Sequence, residues 1–107
     1  MKQRPEPQPQ REASSSLRAL AKALASLDRP QDVAAFLEDL CTPAELEAMA
    51  DRWRVVPLLE QGVPYRQIHE RTQVSVTTIG RVARTLELGA GGYATALRRQ
   101  SRHPESH

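Results

Sequence analysis

Residues 65–82 read Y-R-Q-I-H-E-R-T-Q-V-S-V-T-T-I-G-R-V, and the chemistry open to this run is recognition of a polyanion. Val76, Thr77, Gly80, Arg81 and Arg84 fall together at one set of helical offsets, with Ser75 just before them. Short and apolar side chains at the start of such a helix can approach base edges, including thymine methyls. Arg84 can reach phosphate or guanine. Arg66 and His69, one helix earlier, fall where they position a duplex backbone rather than specify its sequence. The candidate DNA-contacting residues are therefore Arg66, His69, Ser75, Val76, Thr77, Gly80, Arg81 and Arg84.

These side chains can act together only if two helices cross at a fixed steep angle, and that requirement dictates the apolar residues between them. Ile68 supplies the inner face of the first helix, Val74 packs under the turn, and Ile79, Val82 and Leu86 line the inner face of the second. Ser75 follows Val74 and is a good N-cap for that second helix. The pattern is that of a helix-turn-helix over Tyr65–Leu86. Two positions depart from its usual form: His69 stands where a small alanine is common, and Gln73 where the turn often has glycine. A slightly wider crossing or an outward-pointing His69 accommodates both. A helical hairpin with a merely hydrated polar face is the plain alternative.

The rest of the chain reads as helices that support this unit. Residues 1–13 interleave Pro5, Pro7 and Pro9 with glutamine and charged residues, a composition that predicts a disordered arm. From Ser14, Leu17, Leu20, Ala21, Leu24 and Leu27 recur at helical spacing. Pro30 suits the first turn of a second helix with the stripe Val33, Phe36, Leu37 and Leu40. Thr42, Pro43 and Glu45 make a capping box with proline at the first helical position. They start a long third helix through Leu46, Met49, Trp53, Val56 and Leu59 that ends at Gly62. Pro57 inside it predicts a kink or local break. Gly89, Gly91 and Gly92 lead to a last short helix over 93–99, and 100–107 reads as a flexible polar tail. The domain proper is thus 14–99, and the class is all-α.

Composition narrows the function. With 107 residues the chain holds one core, and with aromatics at 4% that core must be aliphatic. Cys41 is the only cysteine, which fits a small buried side chain in a reducing compartment. No apolar run is long enough for a membrane span and the N-terminus lacks a signal-peptide core, so the expected location is the cytoplasm. The net charge of +2 is unevenly spread: +3 over 1–27, −5 over 28–63 and +4 over 64–99, the segment carrying the motif. No glycine-rich phosphate loop, nucleophile motif or metal-ligand cluster is present, which argues against an enzyme and against a cofactor or metal. His103 and His107 flank a proline in the tail and are better read as solvated than as ligands. The rival to a DNA reader is a protein-interaction module built on the same fold.

Three segments in order, L-C-T-P-A-E-L-E-A-M-A-D-R-W-R-V-V, the helix-turn-helix, and L-E-L-G-A-G-G-Y, make the sequence from Leu17 to Leu97 similar to the Trp repressor superfamily. The resemblance is closest to the YerC/YecD group, with its T-x-E-L-x-A-x-x-R segment, A-T-I-S-R-V type recognition helix and G-A-x-G-Y ending. It implies an all-helical, intertwined homodimer whose two reading heads enter successive major grooves, and hence a bacterial-type transcriptional regulator, most simply a repressor. The apolar stripes over 14–40 exceed what one small domain can cover, as a dimer requires. The resemblance also implies an effector pocket framed by Arg52, Arg81, Thr42 and Thr78. Val82 stands where the tryptophan-binding members have glycine, and Thr85 where they have serine. A branched side chain at Val82 takes the space an indole needs, so tryptophan is not expected as corepressor. The plain role for Arg52 is an ion pair with Asp51 or a neighbouring carboxylate.

Overall fold

The computed structural model describes residues 9–102, with side chains over 12–101; residues 1–8 of the arm, and 103–107 with His103 and His107, lie outside the described residues. The described residues form six helices: α1 Pro9–Ala25, α2 Pro30–Leu40, α3 Pro43–Glu60, α4 Tyr65–Thr72, α5 Val76–Leu88 and α6 Gly92–Arg102. There is no strand among them. The chain divides into two compact units, Met1–Thr42 and Pro43–His107.

In the first unit, α1 starts at Pro9, five residues before the serine cluster predicted to cap it. The reason is local: proline is favoured in a first helical turn, and Glu12 adds a carboxylate there that suits the positive end of the helix. Residues 9–13 therefore belong to a helix, and Ser14, Ser15 and Ser16 lie inside it. The helix ends at Ala25, where Ser26 Oγ donates to the Ala23 carbonyl at 2.7 Å. Pro30 opens α2 as its spacing predicts, and Arg29 pairs with Asp32 at 3.1 Å across the first turn. No residue of α2 is buried. Leu17 and Leu40 are 66% and 52% exposed.

The second unit holds the core. Val55, Val56, Ile68, Val74, Ile79 and Val82 are buried together, and Trp53, Leu58, Leu59, Val63, Leu86, Tyr93 and Leu97 pack around them. Burial of each of the six core side chains contributes on the order of 1.5–3 kcal/mol, and together with their partly buried neighbours they tie α3, α4, α5 and α6 into one body. α3 begins at Pro43, directly after Thr42, as the capping signal predicts. It runs through Pro57 to Glu60 without the predicted local break. Proline removes one helical hydrogen bond, and the packing of Val55, Val56, Leu58 and Leu59 on either side of it outweighs that loss.

Gly62 then stops α3 with φ +82°. Its N–H donates to the Leu59 carbonyl and the Val63 N–H to the Leu58 carbonyl, both at 3.0 Å, the two bonds of a Schellman motif. Only a residue at ease in the left-handed region ends the helix this way. At the far end, α6 continues three residues past the predicted stop at 99, because no glycine or proline interrupts Arg99, Gln100, Ser101 and Arg102.

Candidate functional site

The second unit presents α4 and α5 as a helix-turn-helix whose turn, Gln73–Val74–Ser75, is fixed by a close set of hydrogen bonds. Gln73 adopts φ +66°, the left-handed conformation for which glycine is usual, and its N–H donates to the His69 carbonyl at 2.7 Å. Its side-chain amide adds a bond to the Glu70 carbonyl at 3.1 Å. Glutamine thus makes the same turn that glycine would, at a conformational cost of about 1–2 kcal/mol that the bonds around it offset.

Thr72 carries much of that set. It is buried, donates from Oγ1 to the Ile68 carbonyl at 2.7 Å, and accepts the Val74 N–H at 3.1 Å. Arg54 reaches over from α3 and donates to the Thr72 carbonyl at 2.9 Å, while holding Asp51 at 3.1 Å. His69 closes the turn from the other side, its Nδ1 lying 2.8 Å from the Val74 carbonyl. A carbonyl can only accept, so Nδ1 carries the proton in this contact. His69 is exposed, which removes the steric conflict expected of a large residue at that position. Ser75 is the N-cap of α5: its Oγ accepts the Thr78 N–H at 3.1 Å and donates to Thr78 Oγ1 at 3.0 Å.

With the turn fixed in this way, the side chains predicted to face a duplex take defined places. Arg66, His69, Ser75, Val76, Thr77, Arg81 and Arg84 are all exposed, Val76 to 51% although it is apolar. Gly80 is half-buried, because the ring of Tyr65, the first residue of α4, lies beside it. The inner face is occupied as the spacing predicts: Ile68, Ile79 and Val82 are within 1% of complete burial and Val74 within 5%. The structure therefore places the side chains predicted to face a duplex on one unit, with Ile68, Val74, Ile79 and Val82 buried on its inner face.

The residues of the implied effector pocket have individual settings that differ from one another. Val82 is a core side chain, 1% exposed, beside Ile79. Thr78 is engaged with Ser75. Arg81 and Arg52 are exposed, and Arg52 makes no ion pair among the described residues. Asp51, the carboxylate read as its partner, pairs instead with Arg54 three residues on, within reach along the helix. Thr42 closes the first unit. Thr85 lines a cavity of about 330 Å³ at the junction of α5 and α6, with Leu86, Ala90, Gly91, Gly92 and Tyr93. No cluster of three or more metal-ligating side chains occurs among the described residues, and none of their helices is long and apolar enough to cross a membrane.

Thr72, Arg54 and Tyr65 are the residues that spacing alone did not single out. Thr72 carried a usable signal, since it lies four residues after Ile68 and so on the same buried face. Arg54 carried none, because its partner is a main-chain carbonyl 18 residues away.

The helical unit with its capped second helix and exposed cationic face defines the class: a helix-turn-helix regulator fold. Comparison with known proteins places it more closely. The family described as Trp repressor protein matches residues 15–101, and the chain belongs to that family. It is 36% identical over 80 residues to YerC, an uncharacterized protein of Bacillus subtilis, spanning 75% of this chain and 77% of that one. Among solved structures it is similar to a candidate Trp repressor from Staphylococcus aureus, with TM-score 0.76 and 31% identity over 81% of this chain and 87% of the other. A TrpR-like protein from Eubacterium eligens gives TM-score 0.76 and 32% identity, covering 81% and 90%.

Proposed function

We propose that this chain is a sequence-specific reader of double-stranded DNA, a transcriptional repressor that works as a homodimer in the cytoplasm without tryptophan as corepressor. The observation that carries the reading is the division of α5 into two faces. Ile79 and Val82 are wholly committed to the core, while Val76, Thr77, Arg81 and Arg84 are exposed next to a capped N-terminus. A helix anchored so firmly on one side, with short side chains and guanidinium groups on the other, has the form of an element that enters a major groove. Arg66 and His69 on α4 supply the flanking backbone contacts.

Two further features support the details. Leu17 and Leu40 are exposed apolar side chains of a unit that buries no side chain among its described residues, which favours cover by a second copy. Val82 fills the core where a tryptophan site would need room, which favours control by another route or by none.

Selection of bound fragments from a random duplex pool tests the proposal, and a two-fold symmetric consensus is the expected result. Affinity for the selected site should fall steeply with salt, and Arg84→Ala should reduce the slope of log K against log salt by about one while leaving the fold intact. Affinity insensitive to both salt and Arg84 would indicate an apolar protein partner instead. Calorimetry with tryptophan should show no binding; a micromolar dissociation constant would overturn that part.

A further inference from the structure

α5 contains a glycine that its own fold does not need. Gly80 sits five residues into the helix, in ordinary helical conformation, and a Cβ built on it would have the Tyr65 ring carbon Cε2 at 3.9 Å, an ordinary van der Waals contact. Glycine inside a helix costs about 1 kcal/mol relative to alanine, so a helix with space for alanine gives up stability by keeping glycine there. Gly89, at the end of the same helix, is the contrast: a Cβ there would lie 2.6 Å from the Thr85 carbonyl oxygen, so that glycine is demanded from within. Nothing among the described residues calls for glycine at Gly80.

Three neighbouring observations bear on what its missing side chain leaves room for. Gly80 lies one helical turn from both Val76 and Arg84, in the middle of the exposed stripe of α5. Tyr65 stands beside it as a wall, 43% exposed, and its hydroxyl makes no hydrogen bond among the described residues. Arg66, Arg81 and Arg84 are exposed around it, so the chemistry that fits is anionic. We infer that Gly80 and Tyr65 form a notch for the sugar-phosphate edge of a DNA duplex: the missing Cβ lets the backbone approach α5 closely, and the Tyr65 hydroxyl donates to a phosphate oxygen. This rests on the DNA-reading function proposed above and adds to it a contact that is neutral, made from α4, and independent of base sequence.

The test is a fluorescence-anisotropy titration of the full chain with a fluorescein-labelled mixed-sequence duplex at several salt concentrations, beside thermal melts. Tyr65→Phe keeps the ring against Gly80 and removes only the hydroxyl. It should weaken binding about tenfold at every salt concentration without changing the salt slope, because a neutral donor releases no counterion. Gly80→Ala should weaken binding by a similar factor while its Tm holds or rises. Arg84→Ala is the reference, lowering affinity together with the slope. If the wild type and the Arg84 dependence behave as stated but Tyr65→Phe and Gly80→Ala bind like wild type, the notch is wrong and the DNA reading stands. A lowered Tm for Gly80→Ala would make it a packing glycine and also overturn the inference. No salt-dependent duplex binding by the wild type would overturn the function and the notch together.

Discussion

The Thr72 hydroxyl satisfies two backbone groups and its carbonyl takes a third bond, and the geometry of the helix-turn-helix follows from that. Its hydroxyl takes the Val74 N–H and gives its own proton to Ile68, while its carbonyl receives Arg54. Val74 is 5% exposed, so an unpaired N–H there has little access to water. Thr72→Val keeps the volume and removes the hydroxyl, leaving that donor unsatisfied at a cost of about 1–3 kcal/mol. Urea unfolding followed by circular dichroism should show the midpoint lowered with the slope unchanged, and Thr72→Ser, which retains the hydroxyl, should recover most of the loss. A serine variant no better than the valine one would mean that the methyl packing matters and the hydroxyl does not. Such bonds are the part of the site least readable in sequence. Periodicity reports which side chains face inward, as it does for Ile68 and Val82, but it is silent on which main-chain carbonyl a half-exposed Arg54 will find. His69 shows the same limit, since its size suggested a problem of packing and its actual partner is the Val74 carbonyl.

At the scale of elements, start and stop signals with a stereochemical reason gave the boundaries well, and those resting on composition did not. Proline at the first position of α2 and α3, Ser75 before α5 and Gly62 after α3 all mark helix ends where their chemistry predicts them. The cluster of prolines up to Pro9 predicts a disordered arm, but a proline also favours a helical first turn, and α1 begins on Pro9. The stop of α5 is stereochemically the tightest. Gly89 N–H donates to the Thr85 carbonyl at 2.7 Å, and a Cβ at Gly89 would meet that oxygen at 2.6 Å and Thr85 Cγ2 at 2.9 Å. The methyl could turn away, but the carbonyl belongs to the last turn of α5 and cannot move without unwinding it. Gly89→Ala should therefore lose about 1–3 kcal/mol, the usual cost of overpacking, measured as a lower denaturant midpoint. Adding Thr85→Ser should not restore it, because the serine removes the methyl and leaves the oxygen. Full rescue by that second change would place the conflict in the side chain and contradict the backbone account.

At the scale of the molecule, every buried hydrophobic side chain among the described residues belongs to the unit from Pro43 onward. The division at Thr42 was not read from the sequence, because apolar stripes at helical spacing say that a face will be covered and not by what. α2 carries such a stripe and buries no residue of it, while Leu17 and Leu40 stay more than half exposed. If a second copy provides the cover, as we propose, folding and association are one equilibrium, and the apparent stability must depend on protein concentration by mass action. The Tm should then rise steadily across a hundredfold dilution series read from high dilution upward, with sedimentation equilibrium reporting a dimer at the concentrated end. Leu40→Glu places a charge on the exposed stripe of α2 without touching the core of the second unit, so it should flatten the concentration dependence and shift the mass towards the monomer. A Tm that does not move with dilution, together with a monomeric mass, would leave the helix-turn-helix of α4 and α5 intact and remove the dimer. DNA recognition would then have to come from a single head, and the selected site would lose its two-fold symmetry.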